Sequence, residues 1–376
     1  MEDNSSILGR LSDLSVQRKR LLKRASESLG RRIGNGREYS VISEQDEPHH
    51  MHGGRIQETW VYQEEYSNAM KLKSKLVQQF KGKALEDVIP GKIISNNQGA
   101  CYCIEAECDT HIKNTSLRKS REVILSDLKL LSGVGPARER KLKQQGYQSI
   151  RDLTKHPIWR ESAQEFLSRV DLKDVSSLQS WFNSRLPKSH PLAHYLAGFC
   201  RSEDFAIIDI ETMGLFGRPI ILLGIAKSRA SGLGISQFLL RDISDEAGAL
   251  WELVSHLDGN SAFITYNGRA FDIPYIQERL AYYGIRSSLN NPHFDALHFA
   301  RRAWRSRLDN CRLETVEKYF GVQREIDIPS TLIPEFYESY LKSRNVGPLV
   351  AIVEHNRQDL ITLANIFSKL YDEWNI

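Results

Sequence analysis

The sequence predicts an α/β fold in which a mixed sheet with flanking helices follows a small α/β segment and a helical region. Nearly continuous apolar runs of strand length, FAIIDI, IILLGIA, ISQFLL and SAFITY, recur between residues 205 and 266. Such runs are expected of strands covered on both faces. Between and after them, DEAGALWELVSHL and VAIVEHNRQDLITLANIF carry apolar residues at helical spacing, as at Ile352, Leu360, Leu363 and Phe367. The first three runs are joined by short polar turns, which suggests an antiparallel meander.

A chain of 376 residues is too long for one ordinary core. Four regions are expected: a basic arm over 1–55, a small α/β segment over 56–120, a helical domain over 121–190, and the mixed-sheet domain over 200–376. A linker rich in Pro, His and Ser, RLPKSHPLAHYLAGF, precedes the last of these. The arm holds eight Lys and Arg residues between Arg18 and Arg37 against one acid, Glu27. A block of this kind stays solvated and disordered alone and attracts polyanions such as nucleic acid. It runs into His49, His50 and His52, read as incidental residues of a Gly-flanked linker.

With 41% apolar and 26% charged residues, the composition is that of a soluble protein. No apolar stretch is long enough to span a bilayer. Five cysteines in this length point to a reducing, cytoplasmic setting. In the 56–120 segment, KLKSKLVQQF has helical spacing, and KIISNNQGACYCIEAEC reads as two strands around a turn. Cys101, Cys103, Cys108 and His111 have the chemistry of a zinc site, but Cys101 and Cys103 alternate along a strand and lack the usual knuckle spacing. Small apolar cysteines in a hairpin are the favoured reading.

In LLSGVGPARERKLKQQGYQSIRDL, a helix is expected to end at Leu130-Leu131. Gly133, Val134 and Gly135 then form a tight turn that needs glycine's freedom. Pro136 opens the next helix, where its missing N–H costs little, and Gly146 closes it. Unpaired amides at the turn and helix start would make an anion site beside Arg138 and Lys141. The stretch resembles the helix-hairpin-helix module, which implies that Gly133, Val134, Gly135, Arg138 and Lys141 hold a nucleic-acid backbone. A plain helical connector is the alternative.

Asp209 and Glu211, in FAIIDIETMG, are two apart on a strand and so project to one side. Like charges in an enclosed site raise each other's pKa. No Lys or Arg lies between Phe205 and Gly217. The expected counter-charge is therefore a divalent cation, which favours carboxylate oxygens. Two further acids fall at suitable places: Asp272 at a helix start after a strand, and Asp359 four residues beyond His355 on the last helix.

Asp-x-Glu on a strand, Asn-x-x-x-Phe-Asp after a strand and His-x-x-x-Asp on a helix together resemble the DEDD superfamily of 3′→5′ exonucleases, built on the ribonuclease-H-like fold. NCRLETVEKYFG, DIPSTLIPEFYESYL and EHNRQDLITL are similar to the YprB-type ribonuclease-H-like family. By that resemblance, Asp209, Glu211, Asp272 and Asp359 would hold two Mg²⁺ or Mn²⁺ ions. Thr212, Met213, Asn267, Phe271 and Asn356 would meet the substrate, a nucleic acid with single-stranded 3′ ends. His355 would act as general base, with its ordinary pKa near ~6.5. It stands at the spacing of the tyrosine subclass, one residue from that of the histidine subclass, a shift of about 100° around a helix. Ser330 replaces the Gly expected in an Asp-Ile-Pro-Gly turn, and Asp295 is a supporting candidate. The function implied is a metal-dependent 3′→5′ exonuclease. A non-catalytic nucleic-acid-binding scaffold that uses the arm and the glycine hairpin is the alternative.

Overall fold

The computed structural model describes residues 39–42, 59–215, 217–326 and 328–374. The basic block from Arg18 to Arg37 and the histidines at 49, 50 and 52 lie outside them. Within the segment expected as a disordered arm, β1 (Tyr39–Ile42) pairs in parallel with β2 (Thr59–Tyr62). YSVI consists largely of strand-forming types, which is the local reason.

The segment 56–120 does not stand apart. After helix α1 (Gln63–Gln79), strands β3 (Lys92–Asn96) and β4 (Gly99–Cys108) form the expected hairpin. Its second strand pairs with a strand of the C-terminal region. The expected helix ending at Leu130-Leu131 is broken earlier. Helix α2 (Leu117–Ser126) stops at Asp127, whose carboxylate accepts from Lys129 N and starts a separate 3₁₀ turn over Leu128–Leu130. Helices α3 (Pro136–Gln144), α4 (Arg160–Leu172) and α5 (Val175–Asn183) complete the helical region.

Strands β5 (Phe205–Thr212), β6 (Ile220–Arg229) and β7 (Gly232–Leu239) form the antiparallel meander. Helix α6 (Glu246–Ser255) leads to β8 (Ala262–Thr265), which lies parallel to β5. Helix α7 (Asp272–Tyr282) leads to β9 (His293–Asp295), parallel to β8. Helices α8 (Ala296–Trp304), α9 (Leu313–Tyr319), α10 (Ile333–Ser343) and α11 (Gly347–Glu373) follow. Among the described residues, one seven-stranded mixed sheet runs in the order β3-β4-β7-β6-β5-β8-β9. No described helix is long and apolar enough to cross a membrane.

The pleat of β5 divides the core. Phe205 and Ile207 pack into one cluster with Leu360, Leu363 and Phe367 of α11. Ala206, Ile208 and Ile210 point the other way, into a second cluster. The helical region docks on the open edge of the sheet: the Gln179 side chain donates to His293 O at 2.9 Å and accepts from His293 N at 3.1 Å. These bonds satisfy edge groups that a further strand would otherwise take.

Helix α1 is held against the start of α11. Asn345, just before α11, donates to Val77 O at 2.9 Å, and Lys73 pairs with Glu335 of α10 at 2.7 Å. A Cβ on Gly347 would sit 2.4 Å from Leu76 O. Backbone on both sides leaves little room to yield, so Gly347→Ala is expected to cost roughly 1–3 kcal/mol of stability, the usual range for overpacking. Denaturant unfolding of the full chain measures this, and an unchanged midpoint would mean that α1 shifts freely.

Candidate active site

Asp209 and Glu211 leave β5 on the face that carries Phe205 and Ile207, as the pleat requires. Asp209 stands opposite Gly224 on β6. A Cβ there would lie 2.2 Å from Asn356 Oδ1, so the glycine makes room for the Asn356 amide. That amide donates to Asp209 Oδ2 at 2.7 Å and to its carbonyl oxygen at 3.1 Å. Gln237 of β7 donates to Asn356 Oδ1 at 2.9 Å and fixes the orientation of the amide.

Asp272 is the first residue of α7, and its Oδ1 accepts from Ile210 N at 3.2 Å. The loop before it is shaped by Asp295, which accepts from Asn267 N at 2.8 Å and Arg269 N at 3.1 Å. Asn267 takes a left-handed φ of 68° in that loop. Asp359 and His355 come from α11, one turn apart. Glu211, His355 and Asp359 each offer a ligand atom within 4.8 Å of the others.

Enclosure dominates the electrostatics. Burial raises the Asp209 carboxyl well above its ordinary value, with Asp359 and Asp272 adding to the shift. Glu211 is raised in the same way, by burial first and then by Asp209 and Asp359. Asp272 is pushed up to about 7, mainly by burial. Carboxylates converging from β5, α7 and α11 are hard oxygen donors, which suits a divalent cation.

One acid of the group, Asp359, also has a residue as counter-charge. Arg324, from the segment between α9 and α10, pairs with Asp359 and donates through Nε to Glu317 Oε2 at 2.7 Å. Its terminal Nη1 lies 3.1 Å from His355 Nδ1. Glu317 in turn accepts from Thr362 Oγ1. The Arg324 and Glu317 side chains are 5% and 2% exposed, so neither charge is dispensable once the other is in place. Breaking a buried pair by removing one partner costs about 3–5 kcal/mol.

Other expectations divide. Thr212 and Phe271 are half-buried and Asn267 is exposed. Met213 is buried in the second core cluster and gives its N–H to Pro219 O. Asn356 is fully buried and serves Asp209 rather than a substrate surface. His355 is 1% exposed and is engaged at both ring nitrogens, with Ser330 Oγ 3.2 Å from Nε2, which removes the simple picture of a base facing solvent. Gly224, Gln237, Glu317 and Arg324 were not anticipated. A glycine within an apolar strand, at Gly224, was the one available signal, since it marks a close approach.

At the hairpin, Gly133 takes a φ of 79° while Gly135 is extended at −90°, so only the first uses glycine's freedom. Val134 is buried, and Arg138 folds back to donate to Gly133 O at 2.6 Å. Lys141 is exposed. Lys129 and Arg185 line the hollow beside the turn. The cysteines do not gather. Burial pushes the thiols of Cys101 and Cys103 up, to about 12 and about 11. Cys108 packs on the other core cluster, and His111 is exposed.

Residues 206–371 match a family model described as RNase_H superfamily. That agrees with the mixed α/β sheet, which is ribonuclease-H-like. The chain is also 34% identical over 205 residues to "Uncharacterized protein YprB" of Bacillus subtilis (strain 168), covering 52% of this chain and 47% of that protein. The chain thus spans about half the length of the curated relative it matches.

The raised Asp272 carboxyl has a stability consequence. Between its unfolded value near ~4 and its folded value, the folded state binds more protons than the unfolded one, so stability falls as pH rises through that window. In chelator, Asp272→Asn is expected to gain stability relative to the parent between about pH 4 and pH 7 and to level off above it. Thermal melts across pH measure the difference, and a flat one would contradict the raised carboxyl.

Proposed function

We propose that the chain is a metal-dependent nuclease, and more narrowly a two-cation 3′→5′ exonuclease acting on single-stranded ends of DNA or RNA. The observation that carries this reading is the convergence of Asp209 and Glu211 of β5, Asp272 of α7 and Asp359 of α11 onto one enclosed face. Bound Mg²⁺ or Mn²⁺ would supply water activation and charge stabilisation at phosphorus. The protein's own part is to hold the ligands: Asn356 sets Asp209, the Ile210 amide sets Asp272, and Arg324 sets Asp359.

In this reading Thr212, Asn267 and Phe271 would meet the terminal nucleotide. The Phe271 ring lies 5.3 Å from Tyr275 and is half-buried, which suits a stacking platform for a base. In this reading Gly133, Val134, Gly135, Arg138 and Lys141 grip the sugar-phosphate backbone at a distance from the acids, in the manner of a helix-hairpin-helix. That grip adds affinity without reading sequence.

In Mn²⁺, Asp209→Asn is expected to slow mononucleotide release roughly a thousandfold, since the cation supplies several kcal/mol of charge stabilisation. Digestion of 3′- and 5′-labelled DNA and RNA measures this. An undiminished rate would sink the nuclease reading, and release beginning at the 5′ end would overturn its direction. Binding without turnover in the parent would leave the non-catalytic scaffold as the better account. At the hairpin, Lys141→Ala should lower the slope of log affinity against log salt by about one. An unchanged slope in that variant and in Gly133→Val would make the turn a plain connector.

A further inference from the structure

Arg324 joins three acceptors at once, and one of them decides the chemistry of a histidine. Its Nε donates to Glu317 Oε2 at 2.7 Å, Nη2 meets Asp359 Oδ1, and Nη1 lies 3.1 Å from His355 Nδ1. A guanidinium has donors only, so Nδ1 of the ring must be the acceptor. The proton of the neutral imidazole then sits on Nε2. Oxygens surround that nitrogen: Ser330 Oγ at 3.2 Å, Asp359 Oδ2 at 3.5 Å and Glu211 Oε1 at 4.0 Å.

We propose that Arg324 is a positioning residue that makes His355 a hydrogen-bond donor through Nε2, rather than a base, and leaves Asp359 Oδ2 as the oxygen available for ligation. The catalytic consequence rests on the nuclease reading above, whereas the ring's proton and the carboxylate's orientation do not.

Two steps follow from the geometry. A ring nitrogen that carries a proton has no lone pair for a cation, so His355 does not join the carboxylates as a ligand even though it lies among them. Its Nε2–H can instead steady an oxygen over Glu211 and Asp359, whether of Ser330 or of an incoming phosphate. Asp359, with Oδ1 committed to Arg324, presents one oxygen in a fixed direction. The arrangement depends on the planar fork. Glu317 anchors Nε and is itself held by Thr362, so the guanidinium cannot rotate away from the ring. A lysine ammonium is a point charge and would not face all three acceptors.

The full chain labelled with ¹⁵N-histidine tests the ring directly, with the His355 signals identified by their loss in His355→Gln. The parent is expected to show the neutral ring protonated at Nε2. An Nδ1-protonated ring would overturn the proposal and needs no folded variant to be seen. Calorimetry with Mn²⁺ alone should show affinity about 10–100-fold weaker in Arg324→Lys, the usual effect of losing a group that orients a ligand. Unchanged affinity there would also overturn it. Turnover should be retained better in His355→Gln, whose amide can still donate, than in His355→Ala, and equal losses would restore the general base. Absence of any nuclease activity in the parent would remove the nuclease reading while the ring and the Mn²⁺ affinity still decide this one.

Discussion

Carboxylates crowded onto one enclosed face repel one another, and each loses the water that would stabilise its charge. Asp209, Glu211 and Asp272 all have raised carboxyl pKa values for this double reason. Much of the surrounding structure answers that repulsion. The Ile210 amide points at Asp272, the Asn356 amide at Asp209 and the Arg324 guanidinium at Asp359. Each donor meets one oxygen of its acid and leaves the other uncommitted to that donor.

Those donors are held in their turn. Asn356 fits because Gly224 of β6 lies beneath it and Gln237 of β7 beside it. Arg324 is braced by Glu317, which α11 reaches through Thr362. Asp295 ties the loop ahead of Asp272 and also caps α8 by accepting from Leu297 N. Helix α11 therefore contributes an acid, a histidine, an amide and a brace, from residues spread over about two turns.

The glycine hairpin is not isolated from this centre. Trp181 of α5 donates to Leu130 O at 2.8 Å, and Gln179 of the same helix pairs with His293 on β9. Two residues further along, Asp295 supports the acid-bearing loop. One helix thus joins the hairpin to the sheet edge, and the separation between the hairpin and the acids follows from rigid elements.

Strand and helix periodicity made the mixed sheet legible, because runs such as FAIIDI and SAFITY are apolar whichever way they face. Spacing made the acids legible, since residues two apart on a strand or four apart on a helix share a side. Periodicity says nothing, however, about an edge strand's neighbour, so the β3-β4 hairpin was read as its own segment although it extends the same sheet. Nor could local spacing place Arg324, which lies 115 positions from Asp209 and meets the acids only when α9, α10 and α11 close around them. From the sequence alone came the kind of chemistry, because a carboxylate is an oxygen donor wherever it lies. The tertiary structure alone decided the surroundings of His355, Met213 and Asn356, because these depend on which neighbour stands a hydrogen-bond length away.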